Sequence, residues 1–170
     1  MQPNLAIIVP TLNERGNIPK IYERLNSTLT DESWELIIVD DDSSDGTSNT
    51  VYDIASKDSR VRLIIRINRK GLSSACIEGM LSSCASLFAV MDADLQHDEM
   101  LLPKMFDVLD SAADTDIVVG SRYMEGGGFG DWGSRRRLIS RAATALAHRL
   151  VRAELTDPMS GFFMVRREVF

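Results

Sequence analysis

The sequence predicts an α/β fold in which a mainly parallel sheet is covered by helices on both faces. Short apolar runs alternate with segments whose apolar residues recur at helical spacing, a pattern typical of parallel strands joined by crossover helices. Acidic residues follow two of the runs, and open α/β sheets bind ligands at the carboxyl ends of their strands. With 170 residues, 44% of them hydrophobic, we expect a single domain over residues 1–170.

Five strands are predicted, because five short runs are apolar and rich in residues that favour strands. They cover residues 5–9, 34–39, 61–67, 87–91 and 117–119. Pro10 closes the first run, and the second and fourth runs pass directly into Asp40 and Asp92. Nearly continuous apolar runs of this kind indicate strands that are buried on both faces of the sheet.

Helices are predicted between the strands from apolar residues three or four positions apart. The first is marked by Ile18, Ile21, Tyr22, Leu25 and Leu29, and the others cover residues 47–55, 72–83 and 101–109. Asp45 is the expected N-cap of the second helix. After the fifth strand, the glycine-rich residues 126–130 predict a mobile loop, and helical spacing returns over residues 138–151.

Charge is distributed unevenly along the chain. The net charge is −6, but residues 1–121 contain 10 Lys and Arg against 20 Asp and Glu, whereas residues 122–170 contain 9 Arg against 5 Asp and Glu. The acidic part suits a cation, and the basic part suits anions or an anionic membrane surface. The overall negative charge argues against general nucleic-acid binding.

Cysteine content and apolar runs predict neither a disulfide nor a membrane span. Cys76 and Cys84 are eight residues apart on one predicted helix, about 12 Å along its axis, so we expect two reduced, partly buried thiols. No segment resembles a signal peptide, and no apolar run approaches the ~18 residues needed to cross a bilayer. Because the chain ends at Phe170 without a turn signal, we expect a domain truncated at its C-terminus.

Asp92, Asp94 and Gln96 form the most informative group, since they emerge where the fourth apolar run ends. Two carboxylates this close repel each other unless a cation or a proton intervenes. Mg²⁺ and Mn²⁺ suit one or two carboxylates together with waters and the oxygens of a substrate diphosphate. We therefore prefer a divalent metal that holds a nucleotide diphosphate, with simple capping of the loop as the alternative.

A second acidic cluster, Asp40, Asp41 and Asp42, follows another predicted strand. Its spacing matches the opening of a calcium loop, but Tyr52 occupies the twelfth position, where a bidentate Glu is required. We expect these carboxylates to accept hydrogen bonds from a nucleobase or ribose, with a solvated turn as the alternative. Glu14, after the first strand, could bind the same nucleoside.

Arginines are the candidates for phosphate binding, because guanidinium groups bind phosphate oxygens in a bidentate way. The candidates are Arg122, Arg135, Arg136, Arg137, Arg141, Arg166 and Arg167. A solvated charged face is the alternative for each of them. His97 and His148 lack a Cys or His partner at ligand spacing, so a zinc site is not expected. No Walker-type glycine loop is present, although the backbone N–H groups from Gly71 onward could hold an anion.

Six short motifs occur in order along nearly the whole chain. They are VPTLNE at 9–14, VDDDS at 39–43, GLSSA at 71–75, DADLQH at 92–97, GSRY at 120–123 and DPMSGFF at 157–163. This ordered set resembles the inverting GT-A glycosyltransferases of family 2 and is most similar to the dolichyl-phosphate and polyprenyl-phosphate mannose synthases. The resemblance implies a GT-A fold with a Rossmann-like, mainly parallel sheet.

The resemblance also implies roles for individual residues. The nucleotide-sugar site would comprise Pro10, Leu12, Glu14, Val39, Asp41, Asp92, Ala93, Asp94, Gln96, Arg122 and Arg166. Mg²⁺ or Mn²⁺ would be held by Asp92, Asp94 and Gln96, and the catalytic residues would be Asp94, Arg122 and Arg136. The segment 126–134 would close over the acceptor.

We therefore hypothesise that a hexose, most simply mannose from GDP-mannose, is transferred with inversion to a polyprenyl monophosphate of the dolichyl type. Residues 1–121 would bind the nucleotide sugar and metal, and residues 122–170 the acceptor, at the cytoplasmic face of a membrane. An acceptor phosphate is already anionic at neutral pH and needs no strong base, whereas Asp157 would be the base for a hydroxyl acceptor.

Three other functions are open to the sequence. A related enzyme would use UDP-glucose or another nucleotide sugar, and a non-catalytic domain would bind the nucleotide sugar without transfer. A metal-dependent phosphohydrolase is the third, although the chain lacks the Asp-x-Asp-x-Thr motif of such an enzyme at residues 92–96.

Overall fold

The structure, a computed structural model, describes residues 3–30, 33–121, 157 and 160–170. The strands of this part are β1 (Leu5–Thr11), β2 (Trp34–Asp40), β3 (Val61–Ile65), β4 (Leu87–Val90), β5 (Ile117–Val119) and β6 (Phe163–Arg166). The α-helices are α1 (Ile18–Thr28), α2 (Thr47–Ala55), α3 (Leu72–Leu81) and α4 (Leu101–Ser111). The predicted α/β class is confirmed, and the five predicted strands and four predicted helices in this part are all present within a few residues of their expected bounds.

The strands form one sheet in the order β3-β2-β1-β4-β6-β5. β1 is parallel to β2 and β4, and β2 is parallel to β3. β6 is antiparallel to both β4 and β5, so the sheet is mainly parallel with one reversed strand. The sequence analysis did not predict β6, because its four residues carry little periodic signal and it is a strand only through pairing with distant residues.

The helices cover both faces of the sheet because successive strand residues point to opposite faces. Leu5, Ile7 and Val9 of β1 pack into the core that contains the apolar residues of α1, α2 and α4. Ala6 and Ile8 face the other way and pack against α3. Three layers result, with α3 alone on its side among the described helices.

Close packing of α3 depends on Gly79. A Cβ atom at this position would lie 2.6 Å from Cγ2 of Ile8 and 3.0 Å from Cγ2 of Val39. Such separations are shorter than carbon atoms tolerate, so glycine lets the helix approach β1 and β2 directly. This approach fixes the position of the α3 N-terminus relative to the ends of those strands.

Two local predictions differ from the structure. Gly46 rather than Asp45 occupies the N-cap of α2, with φ of 91°. Asp45, one position earlier, still caps the helix, because its carboxylate accepts a hydrogen bond from the Thr47 backbone N at 2.9 Å. α3 ends at Leu81, so Cys84 lies beyond the helix and is exposed, whereas Cys76 is buried within it. Cys76 and Cys84 form no disulfide, as expected.

Other predictions lie outside the described residues. They concern the glycine-rich loop at 126–130, the acceptor-closing segment at 126–134 and the helix at 138–151. Within the part of the chain that the structure describes, no helix is both long enough and apolar enough to cross a membrane.

Candidate functional site

The carboxyl ends of β1, β2 and β4 lie side by side, since these strands are adjacent and parallel. The loops that follow them carry Glu14, Asp41 and the segment 92–97. β6 runs the opposite way and pairs Phe163 with Val90, which brings its preceding residues to the same edge. Four of the six motifs therefore meet at this edge through strand order alone.

The loops after β1 and β2 are joined by hydrogen bonds. The Asn13 backbone N donates to Ser43 Oγ at 2.7 Å, and Asn13 Oδ1 accepts from the Ser44 backbone N at 3.0 Å. The Glu14 backbone N donates to Thr47 Oγ1 at 3.0 Å. Asn13 has φ of 60°, a left-handed conformation that asparagine tolerates better than most residues. The two loops thus form one continuous surface.

The three aspartates of the second acidic cluster occupy different environments. Asp40 is fully buried, and its carboxylate accepts hydrogen bonds from the hydroxyl groups of Ser43 and Ser48. It therefore joins its own turn to the start of α2, which is a structural role in a buried rather than a solvated environment. Asp42 is exposed, with φ of 62°. Asp41 is the member whose carboxylate faces the α3 N-terminus.

Asp41 forms a buried ion pair with Arg66. Asp41 Oδ1 is 3.2 Å from Arg66 Nε, and Asp41 Oδ2 accepts a hydrogen bond from the Gly71 backbone N at 2.8 Å. The Arg66 side chain is 2% exposed, and its guanidinium also donates to Gly71 O and Ser74 Oγ. Oδ1 and Nε have no hydrogen-bond partner of suitable geometry in the described part of the chain. These two atoms are buried and lie against each other, so their contact is an ion pair without a well-aligned hydrogen bond.

The sequence analysis missed Arg66, although a signal for it exists. Asp40 pairs with Ile65 in the β2–β3 register, so the next residues, Asp41 and Arg66, are neighbours at the strand ends. An arginine directly after an apolar strand, beside an acidic strand end, is therefore a candidate ion-pair partner. The pair is recognisable once the strands are known to be parallel and adjacent.

The other predicted nucleoside-site residues differ in exposure. Leu12 is 43% exposed, Pro10 and Glu14 are half-buried, and Val39 is fully buried in the core beside α3. Glu14 Oε2 accepts a hydrogen bond from Asn17 Nδ2 at 2.7 Å. The Val39 side chain thus belongs to the core, and only its backbone remains for contact with a ligand.

The loop after β4 presents oxygen ligands. Asp92 is 40% exposed at its side chain, Asp94 and Gln96 are exposed, and Ala93 is buried beneath them. Asp94 Oδ1 accepts a hydrogen bond from the Gln96 backbone N at 3.0 Å, and Leu95 between them has φ of 62°. Carboxylate and amide oxygens are hard ligands that suit Mg²⁺ or Mn²⁺. Within the described ranges, no group of three or more His, Cys, Asp and Glu residues could hold a metal, and the predicted ligands comprise two carboxylates and one amide.

The Asp92 carboxylate is enclosed on one side by His97 and Gly161. His97 Nε2 lies 3.2 Å from Asp92 Oδ2, and the imidazole ring stacks on Phe162 with a centroid separation of 5.1 Å and an interplanar angle of 26°. A Cβ atom at Gly161 would lie 2.7 Å from Asp92 Oδ2. The segment before β6 is therefore in direct contact with the predicted metal ligand.

A cavity of about 390 Å³ opens beside Asp92, between α3, β4 and the start of β6. Cys76 lines it, and burial together with the nearby Asp92 carboxylate raises the pKa of the Cys76 thiol to about 11. The thiol is therefore protonated at neutral pH and is a poor nucleophile. This chemistry agrees with the expected reduced, buried cysteine.

Arg166 is placed away from the site. It pairs with Leu87 at the opposite edge of the sheet, and its Nε donates to Thr115 O at 2.9 Å. Its Nη2 donates to the carbonyl oxygens of Leu109 and Ala112 at the end of α4. The nucleotide-sugar role predicted for Arg166 does not fit this position. Its guanidinium binds three carbonyl groups at the amino end of β4, whereas the loop that carries Asp92 lies at the carboxyl end.

Asp157 has a described position, whereas five of the candidate arginines do not. Asp157, the candidate base, is fully buried. The candidate catalytic residues Arg122 and Arg136 lie outside the described residues, as do Arg135, Arg137 and Arg141. Of the three predicted catalytic residues, only Asp94 therefore has a described position.

The sheet, its order and the acidic loops at one edge define an α/β protein whose ligand site lies at the carboxyl ends of its parallel strands. The family model described as "Glycosyl transferase family 2" matches residues 6–170. The chain belongs to glycosyl transferase family 2.

Relatives of known function match almost the whole chain. Dolichol-phosphate mannosyltransferase from Pyrococcus furiosus is 38% identical over 97% of this chain and 47% of its own length. The protein of the same name from Saccharomyces cerevisiae is 39% identical over 99% of this chain and 62% of its own length. The chain thus spans about half to three-fifths of the length of these relatives.

Solved structures share the fold at low sequence identity. Glucosyl-3-phosphoglycerate synthase from Mycobacterium tuberculosis, in complex with Mn²⁺, UDP-glucose and phosphoglyceric acid, aligns with a TM-score of 0.74 and 21% identity. The alignment covers 98% of this chain and 57% of the synthase chain. The likeness establishes the fold, and the expected GT-A architecture is confirmed.

Proposed function

We propose that this chain is a glycosyltransferase catalytic domain that transfers mannose from GDP-mannose to a polyprenyl monophosphate of the dolichyl type, with inversion. The observation that carries the proposal is that Asp92 and Asp94 lie at the same sheet edge as the buried Asp41–Arg66 pair. One nucleotide sugar can then place its nucleoside at one loop and its diphosphate at the other. The names of the relatives at 37–39% identity support the choice of mannose as the sugar and of dolichyl phosphate as the acceptor.

The nucleoside is assigned to the joined loops after β1 and β2. Asp41 would accept hydrogen bonds from the base or ribose, since it follows β2 beside the loop after β1 and its carboxylate keeps lone pairs beyond its contacts with Arg66 and Gly71. Leu12 supplies exposed apolar surface, and Glu14 supplies a half-buried carboxylate. Arg66 orients the Asp41 carboxylate through the buried ion pair.

The diphosphate is assigned to the loop after β4. Asp92, Asp94 and Gln96 would hold Mg²⁺ or Mn²⁺, and the bound ion neutralises the charge that grows on the leaving diphosphate. The exposed oxygens of this loop face solvent, so a diphosphate can approach without rearrangement of the core. Inversion requires the acceptor to approach from the side of the sugar opposite the diphosphate.

The acceptor is assigned to the basic part of the chain, residues 122–170. A lipid monophosphate is an anion at neutral pH, because its second pKa is about 6, and it needs no general base. The burial of Asp157 is consistent with an acceptor that arrives already ionised. We assign Arg122 and Arg136 to the phosphate groups and place the reaction at the cytoplasmic face of a membrane.

A second donor is favoured by one observation. The solved structures of the M. tuberculosis synthase contain UDP or UDP-glucose and share this fold. UDP-glucose is therefore the alternative donor. A protein that binds either nucleotide sugar but never transfers the sugar is the non-catalytic alternative.

Replacing Asp94 by Asn tests the metal-dependent reaction. The variant keeps an oxygen that can accept the Gln96 N–H but loses the negative charge, so we expect at least ~100-fold slower mannosyl transfer to a short polyprenyl phosphate, with an unchanged unfolding temperature. Asp53→Asn, on the exposed face of α2, is the matched control and should retain full activity. Normal turnover by Asp94→Asn would reject the role of the loop after β4.

A further inference from the structure

His97 is not accounted for by the proposed reaction, yet it lies against the predicted metal site. Its side chain is 14% exposed, and its Nε2 is 3.2 Å from Asp92 Oδ2. A carboxylate oxygen accepts hydrogen bonds and has no hydrogen atom to donate. The contact is therefore a hydrogen bond in the tautomer that carries the hydrogen atom on Nε2. The contact uses one oxygen of Asp92 and leaves further lone pairs available for a cation.

The orientation of the imidazole is set by Phe162. The two rings stack at 5.1 Å, and Phe162 is 2% exposed. Phe162 is itself held by Gly120, whose backbone N donates to Phe162 O at 2.9 Å. A Cβ atom at Gly120 would lie 2.6 Å from Phe162 Cδ1, so the ring fits only because residue 120 is glycine.

Gly161 restricts the same carboxylate from another direction. An ideal Cβ atom there would lie 2.7 Å from Asp92 Oδ2 and 3.2 Å from Oδ1. Asp92 therefore packs directly on the backbone of the segment before β6. No side chain at position 161 fits beside its carboxylate. Two motifs, at 92–97 and 157–163, thus meet at the Asp92 carboxylate, and Gly120 of a third motif supports Phe162.

We propose that His97 is a positioning residue that holds Asp92 in the orientation required by a divalent cation. The hydrogen bond fixes the carboxylate before the ion arrives, and the stack on Phe162 fixes the imidazole. Partners of this kind behind a metal ligand typically contribute 10-fold to 100-fold to metal affinity. This inference rests on the proposed metal-dependent function.

The competing explanation is that His97 only fills space beside Phe162. His97→Phe separates the two, because it keeps a ring for stacking and removes the N–H donor. We expect this variant to bind Mn²⁺ about 10-fold more weakly than the wild type in the presence of GDP, with an unfolding temperature in the absence of metal close to that of the wild type. Mn²⁺ binding is measured by electron paramagnetic resonance of the free ion. Tyr52→Phe, at an exposed position of α2, is the matched control.

The outcomes distinguish this inference from the proposed function. A folded His97→Phe protein with wild-type Mn²⁺ affinity overturns the positioning role. If His97→Phe does not fold, His97→Gln and His97→Leu replace it, since only glutamine restores a hydrogen-bond donor. Equal Mn²⁺ affinity of these two variants overturns the positioning role. Tighter Mn²⁺ binding by His97→Gln supports it. A wild-type protein that binds no Mn²⁺ with either GDP or UDP rejects the proposed function itself.

Discussion

At the residue scale, position in the fold decides which of several similar carboxylates can act on a ligand. Asp40 and Asp41 are adjacent in sequence and both buried, yet Asp40 accepts hydrogen bonds from Ser43 in its own turn and from Ser48 in α2, whereas Asp41 faces Arg66. The run of three aspartates did not distinguish them. Their roles differ because successive residues after a strand point in different directions.

Asp58 is a carboxylate whose role is structural and can be tested by pH. The Arg60 guanidinium, which donates to both oxygens of Asp58, lowers the pKa of this carboxyl from 3.8 to about 2, and the Tyr22 hydroxyl also donates to it at 2.9 Å. A pKa that is lower in the folded state contributes stability above pH 4, and this contribution is lost as the pH falls from about 4 to 2.

We therefore expect Asp58→Asn to lower the free energy of unfolding by about 1 kcal/mol at pH 7, a modest value because the Arg60 side chain is 40% exposed and water screens the pair. The difference from wild type should shrink below pH 4. Urea denaturation at a series of pH values measures it. A difference that is constant from pH 7 to pH 3 would contradict the assignment.

At the element scale, β6 explains the placement of two motif segments. Because it is antiparallel, its first residue lies at the ligand edge and its last at the opposite edge. Gly161 and Phe162 are thereby brought to Asp92, while Arg166 is carried to the end of α4. The motif at 157–163 contains only the first residue of β6, so it could not indicate where the strand carries Arg166.

Arg166→Gln tests this placement. Removal of the guanidinium leaves carbonyl groups of α4 and its following turn without a donor, so we expect a loss of about 1–3 kcal/mol in the free energy of unfolding. Affinity for GDP and Mn²⁺ should be unchanged. Denaturant titration and calorimetry measure the two quantities, and nucleotide binding weakened tenfold in a protein of normal stability would restore the ligand role predicted from the sequence.

At the scale of the whole molecule, charge and ligand binding are linked. The excess of acidic residues before position 122 predicts that a nucleotide diphosphate binds more tightly together with a metal ion than alone, since acidic residues repel the diphosphate. Ligands that bind only the folded state raise its stability, by about 2.7 kcal/mol at a concentration 100 times Kd.

Thermal unfolding with GDP and with UDP, each with Mn²⁺, identifies the donor nucleotide. We expect GDP with Mn²⁺ to raise the unfolding temperature more than UDP with Mn²⁺, and EDTA to remove most of the increase. Mannose-1-phosphate, which lacks the nucleoside, is the control. A larger increase with UDP would favour the alternative donor, and an increase with GDP that EDTA leaves unchanged would contradict metal-dependent binding.

The amino-acid sequence by itself determined the α/β class, the strands up to β5 and the acidic loops after β2 and β4, because apolar periodicity and the residues at strand ends are local properties. Only the tertiary structure decided that β6 lies between β4 and β5, that Arg66 faces Asp41, and that His97 and Gly161 enclose Asp92. The pairing of β6, the Asp41–Arg66 pair and the contact of Gly161 with Asp92 join residues far apart in the chain. They depend on strand order and direction, which a local pattern does not encode.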